Sequence, residues 1–158
     1  MRGLARTLLP TLLCVALFAE HPEISAAQAT KDAAQERHYN CDTDGVQLEG
    51  LLSERTFYGP PGFGETPAKD AREKQLILKL EKPITVNRLR DVGANKSSCW
   101  GDFPNITKVQ LFVFPPDKAG EARKLVGKMV VAEGKLHEGD APSEHTKVVM
   151  DVSTVNPK

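Results

Sequence analysis

Val109-Gln110-Leu111-Phe112-Val113-Phe114-Pro115-Pro116-Asp117-Lys118-Ala119-Gly120-Glu121-Ala122-Arg123-Lys124-Leu125-Val126-Gly127-Lys128-Met129 is the stretch that decides the fold. Val109, Leu111 and Val113 alternate with Gln110, Phe112 and Phe114, a strand with apolar character on both faces. Pro115-Pro116 stops it, and Asp117 is placed to cap a helix. Ala119, Ala122, Leu125 and Val126 then recur at helical spacing, and Gly127 supplies a C-terminal stop. From Met129 to His137 the alternation of a strand resumes, with Gly134 as a bend inside it.

Working outward, Val46 to Tyr58 reads as a first strand bent at Gly50. Leu76, Leu78 and Leu80 make a second, resuming after Lys82-Pro83 as Ile84-Thr85-Val86. Thr146 to Val155 is a last strand with Val148, Met150 and Val152 on one face. Between them lie a Gly/Pro-rich loop from Gly59 to Glu73, a polar stretch from Asn87 to Pro104 and a polar loop from Glu138 to Glu144. Three strands, one short helix and two strands follow the order of the OB-fold, a small five-stranded Greek-key barrel. Bends at Gly50 and Gly134 suit strands that must coil to close a barrel. A small β-sandwich is the alternative that element order leaves open.

The first 29 residues have a different character. Arg2 and Arg6 precede an apolar run from Leu8 to Phe18, and small residues end in Ala27-Gln28-Ala29. That is the plan of a cleaved secretory signal, and the apolar run is too short to span a bilayer. The expected layout is a signal at 1–29, a flexible lead-in at 30–40 and one domain at 41–158. Cleavage removes Cys14 and leaves Cys41 and Cys99, an even pair that an oxidising compartment closes into a disulfide. Closing so long a loop stabilises by about 4 kcal/mol in the chain-entropy model.

Charge narrows the partners. Lys plus Arg and Asp plus Glu number 21 each in the 158-residue chain. Losing Arg2, Arg6, Glu20 and Glu23 with the signal leaves 19 of each. A neutral domain lacks the basic excess with which proteins hold nucleic acid or anionic lipid. No phosphate-cradling glycine loop, nucleotide fingerprint or nucleophile elbow is present in the sequence.

Two stretches carry a family resemblance. Phe57-Tyr58-Gly59-Pro60-Pro61-Gly62-Phe63-Gly64-Glu65 is followed by Lys69-Asp70-Ala71-Arg72-Glu73, then by a strand ending in Pro83-Ile84. Further on come Gly127-Lys128-Met129-Val130-Val131-Ala132-Glu133-Gly134-Lys135-Leu136-His137 and His145-Thr146. Together they resemble a bacterial domain of unknown function, number 4431, over most of Cys41 to Val155. Pro60, Pro61, Glu65, Asp70, Glu73 and Pro83 match its first motif, whereas Phe63 stands where that family tends to have tyrosine. The resemblance implies a periplasmic or secreted protein and no particular activity.

In the OB-fold the loops joining strands one to two and four to five flank the ligand face. That nominates Tyr58, Pro60, Pro61, Phe63, Glu65, Asp70 and Glu73 on the first loop, with Trp100 as a further exposed-ring candidate for stacking on a sugar or packing on a protein. Asp70 and Glu73 are also a carboxylate pair of the kind glycosidases use, though solvated loop pairing with Lys69, Arg72 or Lys74 explains them more simply. His137 and His145 bracket the last loop and are the candidate metal pair, for zinc or copper, with no matching zinc-motif spacing. The expectation is therefore a non-enzymatic, exported binding protein for an envelope protein or glycan. It carries no cofactor, binds no nucleic acid and has no membrane span once the signal is removed. A metal-binding protein using His137 and His145 is the second reading.

Overall fold

The computed structural model describes residues 37–90 and 97–158. The signal at 1–29 and the lead-in as far as residue 36 lie outside the described residues. Alternation builds the sheet. Val46, Leu48 and Leu52 on β2 (Val46–Tyr58) point to the core, as do Leu76, Leu78, Leu80, Ile84 and Val86 on β3 (Arg72–Asn87). Ile106, Val109 and Leu111 on β4 (Phe103–Val113), Val130, Ala132 and Leu136 on β5 (Met129–Glu138), and Val148, Met150 and Val152 on β6 (Val148–Pro157) complete it.

β2, β3, β4, β6 and β5 pair in that order, and β5 pairs back to β2, which closes a five-stranded barrel. Every ring pairing is antiparallel except β4 with β6, which is parallel. This is the expected OB-like barrel, and the sandwich does not form. Gly50 and Gly134 sit where backbone crosses closely. A Cβ on Gly50 would run into the Lys79 carbonyl oxygen, and one on Gly134 into that of Asp151, beside a register shift in the β5–β6 ladder. Only glycine allows the strands to coil this tightly.

Four local expectations are corrected. Arg37–Asn40, expected as the end of a loose lead-in, form β1, which lies outside the ring and runs parallel to Ile84–Asn87. β2 pairs with β3 only as far as Leu80, so that end of β3 has an open edge, which β1 covers. β4 starts at Phe103 rather than Val109, and β6 at Val148 rather than Thr146. Asp117 is not a helix cap: it lies in a 3-10 turn, Pro116–Lys118, with no side-chain cap bond, and α1 (Ala119–Arg123) is a single turn that buries only Ala122. The chain then returns through Gly127, at φ 87°, whose N–H donates to the Leu52 carbonyl over 2.8 Å.

Cys41 and Cys99 are disulfide-bonded, with Cα atoms 6.2 Å apart, and both are buried. The bond ties the β1–β2 turn to the β3–β4 connection. Beside it the Asp42 carboxylate accepts hydrogen bonds from Ser97 Oγ (3.0 Å) and Ser98 N–H (2.8 Å). Burial pushes the Asp42 carboxyl up, but the Ser98 and Ser97 bonds and the nearby Lys135 outweigh it and hold the group below its ordinary value. No helix among the described residues is long and apolar enough to cross a membrane.

Candidate functional site

The loop between β2 and β3 is organised by one buried carboxylate. Asp70 is 8% exposed. Its Oδ1 accepts the Gly62 N–H (2.8 Å) and the Thr66 hydroxyl (2.8 Å), and its Oδ2 accepts the N–H groups of Gly64 (2.7 Å) and Thr66 (3.2 Å). Burial pushes its pKa up, but the bonds from Thr66, Gly64 and Gly62 prevail and hold it below the ordinary carboxylate range. A carboxylate so saturated is a loop clamp rather than a proton carrier. Its expected partner Glu73 lies elsewhere, against Gly59, where an added Cβ would fall 2.6 Å from the Glu73 carboxyl carbon.

The clamp presents Phe63. Gly62 and Gly64 are both held by Asp70, and Phe63 between them adopts φ 48° with its side chain 38% exposed. A bulky residue in the left-handed region is costly and persists only where surrounding bonds impose it. Pro60, Pro61 and Glu65 are exposed on the same loop. Tyr58 is half-buried, and the Arg72 guanidinium covers its ring at 3.7 Å, so one of its faces is already taken. Trp100 is 73% exposed, and its backbone N–H donates to Glu138 Oε2 (2.7 Å), which tethers it to the start of the β5–β6 loop.

That second loop, residues 139–147, lies folded over the barrel rather than standing away from it. Ile77, Gln110 and Val149 are register partners across β3, β4 and β6, all buried on the face turned away from the core. Gln110 holds the loop over them: its Oε1 accepts the His145 N–H (2.7 Å) and its Nε2 donates to the Ser143 carbonyl (3.0 Å). Thr146 Oγ1 accepts the Gln110 N–H (2.9 Å) and donates to the Val148 carbonyl (2.7 Å), which is why β6 begins later than expected. Glu144 Oε2 accepts the N–H groups of Asp140 and Ala141 at 2.8 Å each. The His145 ring stacks on Phe57 of β2, centroids 3.9 Å apart and planes 8° from parallel.

The two histidines take separate partners. His137 Nδ1 lies 3.0 Å from the Glu138 carbonyl, and its Nε2 lies 3.4 Å from Asp151 Oδ1. His145 has its ring on Phe57. Among the described residues no three His, Cys, Asp or Glu side chains are grouped to hold a metal ion.

Sequence reasoning placed the two loops and missed Phe57 and Gln110. Gln110 carried a signal, since it is the one polar residue in Val109–Phe114. A further exposed aromatic, Phe114, borders a depression of about 500 Å³ that also touches Asp44, Lys135 and Asp151. Comparison with protein families, with curated proteins and with solved structures found no match.

Proposed function

We propose that this chain is an exported, non-catalytic binding protein, periplasmic or secreted, that engages an envelope protein or glycan through its 59–73 and 138–145 loops. The likeness of its motifs to the bacterial domain of unknown function 4431 and its signal-like N-terminus support the compartment. The observation that carries the binding reading is Phe63. A clamp of four hydrogen bonds to Asp70 holds an apolar ring outward in a strained conformation. Over a third of Phe63 stays exposed, and a partner that covers it gains a rigid aromatic anchor with little ordering cost left to meet. Trp100, tethered to Glu138, is the second anchor.

The test compares wild type with Phe63→Ala and Trp100→Ala for retention on sedimented cell-wall glycan and on solubilised envelope proteins. An anchor of hot-spot strength contributes about 2 kcal/mol or more, so each substitution lowers affinity by about 30-fold while melting stays near wild type. Full retention of every specific partner by both variants would refute the reading.

A further inference from the structure

Barrels of this connectivity bind ligands on the outer surface of their second and third strands, here β3 and β4. In this chain the 139–147 segment covers that surface. Gln110 bonds to Ser143 and His145 of the segment, and a Cβ on Gly139 would sit 3.2 Å from Val149 Cγ2. The His145 ring occupies the Phe57 face as a planar ligand would. We infer that residues 139–147 are a pH-sensitive strap, closed while His145 is neutral and stacked on Phe57, and released from the β3–β4 face when the imidazole takes up a proton.

The geometry makes the proton matter. His145 Nε2 is buried with no hydrogen-bond partner among the described residues. A neutral ring carries an acceptor there or a single unpaired N–H. The imidazolium must carry N–H on both nitrogens, so one donor is buried without an acceptor beside a desolvated charge. Against the ring, β3 presents Glu73, which favours the cation, while β2 and β4 present the uncharged Phe57 and Gln110. Under the strap, Val149 of β6 has the titratable His137 of β5 as its register partner, and that ring lies against Asp151. Within the strap, Glu144 is engaged on the Asp140 and Ala141 N–H groups. Burial outweighs Glu73 and pushes the His145 pKa down from its ordinary 6.5. A depressed histidine stabilises the closed form fully above 6.5 and loses that contribution as pH falls through the lower, closed-state value.

The strap is small and held by few bonds, so it opens without the barrel unfolding. This inference stands apart from the Phe63 reading, and its test needs no ligand. Amide exchange, corrected for the intrinsic pH effect, is followed at pH 7.5 and stepwise to 5.0 in the full chain, with wild type, His145→Phe and His145→Ala. For wild type, strap opening should rise as pH falls from 6.5 towards the lower closed-state value, by at most about tenfold per pH unit, and level off below it, while the core amides of Leu78, Val109 and Met150 stay protected. His145→Phe keeps a stacked ring that cannot titrate and should stay closed throughout. His145→Ala loses the stack and the titrating ring but keeps the Gln110 bonds, so it should be more open than wild type at pH 7.5 and show no further opening on acidification. Equal wild-type protection at pH 7.5 and 5.0 overturns the inference. So does acid opening of His145→Phe to the wild-type extent, because the responding proton then sits elsewhere.

Discussion

Replacing Gln110 with methionine should free the strap and spare the barrel. The side chain is fully buried, so an unbranched apolar replacement of similar size fills the space and leaves no large cavity. Two hydrogen bonds disappear, Oε1 to the His145 N–H and Nε2 to the Ser143 carbonyl. The bonds of β4's own backbone, including Gln110 N–H to Thr146 Oγ1, remain available. At about 1 kcal/mol net for each lost bond, strap closure weakens by about 2 kcal/mol. Ser143 and His145 are only half-buried, so both orphaned groups rehydrate by lifting away rather than by unfolding the domain. The open-to-closed ratio should therefore rise by about 30-fold. Native-state amide exchange reads this directly at the His145 N–H, with Leu78 and Val130 as barrel controls. Wild-type protection of the His145 amide in a folded Gln110→Met protein would refute the reasoning. So would loss of strap and barrel protection together, which would make the strap a cooperative part of the barrel.

Other positions give equally direct expectations. Gly134→Ala drives a Cβ into the Asp151 carbonyl at the bulge, and thermal melting should show a loss of about 3 kcal/mol or failure to fold. Cys99→Ser opens a bond spanning 58 residues, and denaturant titration should show about 4 kcal/mol less stability, with the loss largely reproduced by reducing wild type. Asp70→Asn replaces one acceptor oxygen with a donor facing N–H groups, so trypsin should cut after Lys69 faster than in wild type at unchanged barrel secondary structure. The same loop should loosen in wild type under acid. The lowered Asp70 pKa stabilises it above the ordinary 3.8, and that contribution is lost as pH falls through the folded-state value.

The barrel was legible because its signals are local. Period-two alternation survives in every ring strand, prolines stop β4 where the helical turn begins, and Gly50 and Gly134 mark the bends. β1 was not legible, because Arg37–Asn40 has no apolar alternation and is a strand only because β3 offers an edge. The helix is shorter than its spacing predicts, since after Arg123 the chain must return to bond with Leu52 of β2. The candidate site divides in the same way. Glycine and proline announced the Gly59–Glu73 loop, but that Asp70 is its clamp and Phe63 its outward ring follows from how the loop closes on itself.

By itself the sequence determined the order of the ring strands, the cysteine pair, the neutral charge balance and the positions of the β2–β3 and β5–β6 loops. Periodicity says which side of a strand is apolar, and spacing says where a chain must turn. Only the tertiary structure decided what covers each face. Gln110 reads as a polar residue on a solvent side until Ser143 and His145 are seen closing over it, and Phe57 reads as a strand end until the His145 ring lies on it. Those contacts join residues from 33 to 88 positions apart, beyond the reach of any local pattern, and they exist because a closed barrel brings the β5–β6 loop back over β3 and β4.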